Sequence, residues 1–375
     1  MKRSLFVIFF LPAMLISSFA PFMKEAQAFT YYVSPSGSDS NNGSSGSPFA
    51  TLQHAADKVK AGDTVIVENG VYKSYSHILL RVSRGGTSSA PITFESKNKW
   101  GAVLDGRNFA TGFGIFFESG VNFVNIKGFD IRDFYWAGIS DNTNASNLYF
   151  YGNHIHNIGN VYLKNGGSSG MAGIGLGEHG VSNVTIDSSI INNIGRTGPS
   201  GNQIYDHGIY LASNSNITII NNVFYNNTSG WDIQVYADTG AACNIYIVSN
   251  TFAFPCNFKY PGQIIIDIPI RGTFLIENNI FYQPKGDPIN WENGDSGILS
   301  LNNNLTTAMN MGVTGRASNL GNILNAAPLF ADARSGFFCL ATGSPPIGYG
   351  ILWPDRSYGA NGVFKGIIQN GYHRN

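Results

Sequence analysis

Residues 205–252 read YDHGIYLASNSNITIINNVFYNNTSGWDIQVYADTGAACNIYIVSNTF. Two short runs, HGIYLAS and WDIQVYA, are each followed by a second run, NITIINNVFYN and CNIYIVSNTF. Apolar residues alternate with polar ones in each, the pattern of half-buried strands, and Asn and Gly punctuate the turns. The stretch is one structural coil written twice. Neighbouring copies share a motif of Asn followed two residues later by an aromatic or aliphatic position: Asn153-His154-Ile155, Asn222-Val223-Phe224, Asn250-Thr251-Phe252 and Asn279-Ile280-Phe281, with weaker copies at Ser189-Ile190-Ile191 and Asn303-Asn304-Leu305. Measured from Asn153 to Asn303, the steps are 36, 33, 28, 29 and 24 residues. Each step holds about three short strands with their turns. A coil of that size cannot bury an apolar face alone, whereas stacked coils share one core. The recurrent Asn reads as an internal ladder of side-chain amides; ordinary turn chemistry is the other explanation.

Charged residues make up only 12% of the chain and the formal net charge is zero, so no broad basic surface for nucleic acid is expected. Lys2 and Arg3 precede an apolar run from Leu5 to Leu15, and Ala26-Gln27-Ala28 has small-x-small character. Residues 1–28 therefore read as a secretory signal peptide cleaved before Phe29, leaving a secreted, extracellular protein with no later membrane span. Three cysteines are present, Cys243, Cys256 and Cys339. In an oxidising compartment Cys243 and Cys256 can bridge, with Cys339 a buried thiol; three free thiols is the alternative.

Residues 29–350 are expected to form one domain, with 29–78 as its amino-terminal cap and first coil, 306–350 as an irregular closing segment and 351–375 as a tail. The cap contains one amphipathic helix, capped by Thr51, facing Leu52, Ala55, Ala56 and Val59 inward and ending at Gly62-Asp63. Such a helix shields the open end of a sheet stack.

The stretch YYVSPSGSDSNNGSSGSPFATLQHAADKVKAGDTVIVENGVY resembles the amino-terminal segment of secreted right-handed parallel β-helix proteins of the pectate-lyase-like group, which includes pectate, alginate and chondroitin lyases. Ala90-Pro91-Ile92-Thr93-Phe94 and Gly101–Gly106 continue the likeness, and Ala327-Pro328-Leu329-Phe330 with Gly343–Ile347 is similar to the group's closing motif. The resemblance implies an all-β fold, a right-handed parallel β-helix with one amino-terminal capping helix, acting as a monomer on an extracellular polysaccharide. The group contains lyases, hydrolases and epimerases, so the chemistry must come from the site.

Six runs line one long face: 113–119, 137–142, 172–178, 207–213, 231–237 and 263–269. Aligned on Ile139, Ile174, Ile209, Ile233 and Ile264, strict alternation sends outward Gly208, Tyr210 and Ala212, then Asp232, Gln234, Tyr236 and Asp238, then Gln263, Ile265 and Asp267, with Asp206 just before. Neighbouring strands lie about 4.8 Å apart, so Tyr210 should flank Gln234 and Tyr236 should flank Asp267. Loops at 159–171 and 195–206 bring Tyr162, Lys164, Arg196 and His207 towards this wall. A sugar polymer suits such a groove: Tyr stacks on pyranose faces, while Asp206, Asp232, Gln234, Tyr236, Asp267 and Glu178 bind hydroxyls. Solvated strand residues are the plain alternative.

The leading reading is β-elimination on a uronic-acid polymer, which needs a carboxylate neutraliser, a base for the C5 proton and an acid for the leaving oxygen. Related lyases use Lys or Arg with Asp-bound calcium, or a Tyr/His pair with Asn, Gln or Arg. No Lys lies on the face strands here, which departs from the calcium pattern. Tyr210 is the expected acid or base, His207 its helper, Arg196 or Gln234 the carboxylate binder, and Lys164 a base reaching in from its loop. No cofactor is required unless calcium is used, in which case Asp206 and Asp232 would hold it. Asp206, Asp232 and Asp267 also suit a glycoside hydrolase or epimerase, and a non-catalytic carbohydrate-binding solenoid fits the composition. His154 and His156 share one strand face like a metal pair, but with no Asp or Glu nearby in sequence to complete a ligand set they read as ordinary surface histidines.

Overall fold

The structure, a computed structural model, describes residues 27–350 except 162–168, 178–179, 198–202, 213, 229, 237–239, 256–261, 293–296 and 314–316. Residues 1–26 of the expected signal segment, the tail, Tyr162, Lys164, Glu178, Asp238 and Cys256 lie outside the described residues. Among those described, no helix is long and apolar enough to cross a membrane.

Three long sheets run the length of the molecule, with eight, nine and eleven strands, and every neighbouring pair within them is parallel. The chain visits the three in rotation, so each circuit adds one strand to each sheet: a parallel β-helix. The eight-stranded sheet, called here the groove sheet, runs from Ile78–Val82 to Ile289–Trp291. Its partner of nine runs from Gly70–Tyr72 to Leu305–Thr306, and the sheet of eleven from Thr30–Val33 to Ala317–Leu320. The expected all-β right-handed parallel β-helix is the fold found. The closing segment ends in an antiparallel hairpin, Phe330–Asp332 with Phe337–Leu340.

Columns of like residues stack along the axis and form one continuous core. Ile115, Ile139, Ile174, Ile209, Ile233 and Ile264 are in register on the groove sheet and fully buried. On the nine-stranded sheet, Phe224, Phe252 and Phe281 stack face to face, with centroids 4.8 and 5.0 Å apart. Burying such rings contributes most of the drive to stack coils.

The Asn ladder exists. Asn222 Nδ2 donates to Asn250 Oδ1 (3.1 Å), Asn250 to Asn279 (3.0 Å), Asn279 to Asn304 (3.0 Å) and Asn304 to Asn322 (3.0 Å). Each amide also serves the backbone: Asn250 Nδ2 donates to Ile219 O, and Asn250 Oδ1 accepts from Asn222 N. Asn304 carries the sixth position rather than Asn303, because the residue before each rung takes the left-handed conformation (Asn221, Ser249, Asn278 and Asn303, φ 51 to 58°) that turns the chain into the next strand. Ser189 substitutes through its hydroxyl, which accepts from Asn153 N.

At the amino-terminal end, Thr51 caps a single helical turn, Leu52–Ala56, by accepting from His54 N. Leu52, Ala55, Ala56 and Val59 are all buried, as the pattern required. The helix stops short of Gly62 because Asp63 competes for the backbone: its carboxylate accepts from Lys60 N and from Phe29 N.

Candidate functional site

A cavity of about 760 Å³ opens on the groove sheet. It is lined by residues from six successive coils, from Phe113 and Phe116 to Asp267. At about 4.8 Å per coil it is roughly 24 Å long, far longer than a single sugar ring needs. Tyr210, Gln234, Tyr236 and Asp267 all line it, and Tyr210 pairs in register with Gln234 and Tyr236 with Asp267, as expected.

The strict alternation fails one residue before each core Ile. That column holds Gly114, Gly138, Gly173 and Gly208, then Asp232 and Gln263. A Cβ on Gly173 would lie 3.1 Å from Ile191 and 3.4 Å from Ile194, both interior residues, so the column points inward. Two consecutive residues therefore face the core where each strand begins, and the column before them is the one that reaches the groove. His207 takes that place, with Phe113, Ala137 and Ala172 in line.

This corrects the placement of Asp232. Its side chain is 1% exposed; Oδ1 accepts from Asn227 Nδ2 at 2.6 Å, and Oδ2 has no partner among the described residues. Burial without a counter-charge pushes its carboxyl up to about 7. Gln263, next in the column, is buried too, with both amide atoms unpartnered among the described residues.

Arg196 and Asp206 also lie inside, each with 0% side-chain exposure. Arg196 Nη2 donates to Asp206 Oδ1 (2.7 Å), while Nε and the backbone N–H donate to Oδ2 (2.9 and 2.8 Å). Asp206 Oδ1 accepts as well from Met171 N, and Arg196 reaches Ser169 O. The pair is a staple that closes the 195–206 loop and ties it to the 159–171 loop at the groove wall, where Gly170, Met171 and Tyr205 face the cavity. A guanidinium held this way does not meet a substrate carboxylate. Nor do Asp206 and Asp232 fit calcium: one is saturated by Arg196 and Met171, the other is sealed against Asn227, and neither lines the cavity.

His207 borders the groove while being almost wholly buried. Burial lowers its imidazole to about 3, so the ring is neutral. Nδ1 accepts from Trp231 N (3.3 Å), which places the proton on Nε2, and the side chain is hydrogen-bonded to Gln234. The ring stacks on Tyr210, with centroids 5.9 Å apart at 19°. Trp231 fits below because residue 262 is Gly: a Cβ there would lie 1.9 Å from the indole.

The far half of the cavity escaped the candidate set. Phe116 and Ser140 lie in the same outward column as Tyr210 and Gln234, and Trp136, Asn142 and Asp141 complete that end. Ser140 follows from the Ile139 position already aligned, and extending the alignment back to Ile115 gives Phe116. Asp141 would still have been missed, because its register places it among core positions such as Phe117.

Comparison with known proteins agrees with this architecture. A stretch of 79 residues is 43% identical to the uncharacterized protein YwoF of Bacillus subtilis (strain 168), a match covering 21% of this chain and 16% of that protein. The structure of pectate lyase Pel9A superposes with a TM-score of 0.61 at 15% identity, covering 89% of this chain and 94% of that one. An alginate lyase from Paenibacillus sp. str. FPU-7 superposes with a TM-score of 0.53 at 19% identity, covering 80% and 96%. Residues 31–253 match the family described as Pel9A-like, right-handed β-helix region, and with well over half its length so matched the chain belongs to that family.

Proposed function

We propose that this chain is a secreted polysaccharide lyase that cleaves a uronic-acid-containing polymer by β-elimination in the groove. The observation that carries the reading is the row Tyr210–Gln234 facing a cavity six coils long, with neutral His207 locked behind it. Elimination needs one group able to move a proton and one able to hold the enolate-like carboxylate. Tyr210 offers a phenolic oxygen on the cavity wall and takes the proton-transfer role. The Gln234 amide donates to the substrate carboxylate, and His207 acts as a neutral strut that orients it. Tyr236, on the Gln234 strand, and Asp267, one coil further on, bind sugar hydroxyls. Phe113, Phe116 and Trp136 give flat apolar faces for pyranose rings at the other end. The lyase neighbours support polysaccharide as the substrate class.

The described carboxylates do not favour hydrolysis. Acid and nucleophile or base in a glycosidase sit about 5–9.5 Å apart. With Asp206 and Asp232 inside, the described carboxylates in the cavity are Asp141 and Asp267, four coils and roughly 19 Å apart.

The test is incubation with pectate, alginate and glycosaminoglycan polymers, followed by ultraviolet absorbance of the new C4=C5 double bond. New absorbance that falls by roughly 10² or more in Tyr210→Phe supports the proposal. Reducing ends without absorbance, or binding without turnover, refutes elimination. Near-normal activity of Tyr210→Phe removes Tyr210 from the chemistry.

A further inference from the structure

The outer face of the nine-stranded sheet carries a second cluster, away from the groove sheet. Asp130, on strand Asp130–Arg132, is the register partner of His154 on strand His154–His156. The carboxylate that the sequence around His154 and His156 lacks is thus supplied by the preceding coil. The donor atoms of the three side chains all lie within 4.8 Å of one another. The two imidazoles stack with centroids 4.1 Å apart at 20°, flanking buried Ile155, so both rings stand on the same side of the sheet.

The hydrogen bonds leave one position unexplained. Asn192 Oδ1 lies 2.8 Å from His154 Nε2 and accepts its proton, which makes Nδ1 the lone-pair nitrogen. That nitrogen faces Asp130 Oδ2 at 3.7 Å, too long for a direct hydrogen bond and close enough for an ion to lie between them. Asp130 Oδ1 is 3.1 Å from His156 Nε2. An imidazole fixed by an outer amide, with its other nitrogen turned to a carboxylate, is how metal-binding histidines are held. The side chains are each 14% exposed, enough for an ion to enter. Arg132, the register partner of His156, is engaged by Asp105 and Asp133, and Lys99 lies over the Trp100 ring.

We infer that Asp130, His154 and His156 form a binding site for a divalent transition-metal ion of the Zn²⁺, Ni²⁺ or Cu²⁺ class. Two imidazoles and one carboxylate suit these ions and not calcium. The ion takes His154 Nδ1, His156 Nε2 and an Asp130 oxygen, and it displaces the proton shared between His156 and Asp130. It clamps two successive coils and plays no part in the groove chemistry.

Trp100 supplies a reporter, with its indole centroid 5.3 Å from the His154 ring. Untagged, metal-stripped protein is titrated with Zn²⁺ by calorimetry and with Cu²⁺ by tryptophan fluorescence. The expected result is one saturable site per chain, weakened at least tenfold in both His156→Asn and Asp130→Asn, each checked for folding by circular dichroism. Trp100→Phe should keep the calorimetric binding and lose most of the Cu²⁺-dependent quenching. No saturable binding, equal binding in Asp130→Asn, or full quenching in Trp100→Phe would each overturn the assignment.

Discussion

Replacing Asp232 by Asn should stabilise the protein in neutral and alkaline solution and leave it almost unchanged in acid. In the folded chain Asp232 holds its proton up to about 7, because its carboxyl is buried against Asn227 with no cation at hand. In the unfolded chain it loses that proton near the ordinary value of 3.8. Between these limits the folded state binds more protons than the unfolded one, so Asp232 lowers stability as pH rises from about 4 to about 7. At about 1.36 kcal/mol per pH unit over that interval, the loss reaches about 4 kcal/mol. Asn has the same shape, keeps an oxygen for the Asn227 amide and carries no charge. Urea unfolding of the two proteins at pH 4 and pH 8 measures the difference directly. The gap should be near zero at pH 4 and about 4 kcal/mol in favour of the variant at pH 8. An equal gap at both pH values would refute the buried, uncompensated carboxyl.

Three further outcomes follow from the same structure. His207 titrates with the opposite sign: its folded imidazole resists protonation down to about 3 against an ordinary 6.5, so it destabilises as pH falls through that window, and Asp232→Asn should expose this acid limb while His207→Gln added to it flattens the profile. Asn250→Ala strands the Asn222 N–H and the Ile219 carbonyl in the interior and should cost roughly 2–6 kcal/mol, whereas Asn216→Gly, which keeps the left-handed backbone (φ 55°) and removes only exposed amide bonds to Asn183 and Asn244, should cost under about 1 kcal/mol; equal denaturation midpoints would refute the ladder's contribution. Arg196→Met leaves Asp206 as a lone buried charge and should cost about 3–5 kcal/mol, with much of it recovered in Arg196→Met/Asp206→Leu; a single variant as stable as the double would refute the staple.

The stacked-coil plan, the inward Ile column and the Tyr210–Gln234 and Tyr236–Asp267 pairs were legible because period-two alternation and a fixed interstrand distance determine them, whereas the first and last groove strands, Ile78–Val82 and Ile289–Trp291, lay outside the six runs read. Asp232 was misplaced because alternation breaks near the start of the groove strands, where the column before the core Ile also faces inward, even inside strands such as His207–Leu211. The glycines ahead of it in the column mark that crowding, and they were visible as a repeated Gly-Ile pair at 114–115, 138–139, 173–174 and 208–209. Arg196 and Asp206 carry charge, and composition alone sends charge outward; only the folded loops show that the two neutralise each other. Asp130 lies 24 residues before His154, so their meeting depends on coil length, which the irregular spacing left free.

The amide ladder has a direction. Every rung from Asn222 onward gives its N–H to the rung that follows and receives from the one before, so each coil presents an identical socket above and an identical plug below. Duplicating the whole 28-residue unit between Asn222 and Asn250 would preserve that fit, although altering either amide alone would break it. Such a body can be lengthened or shortened by complete turns, which gives this architecture a direct route to longer or shorter grooves.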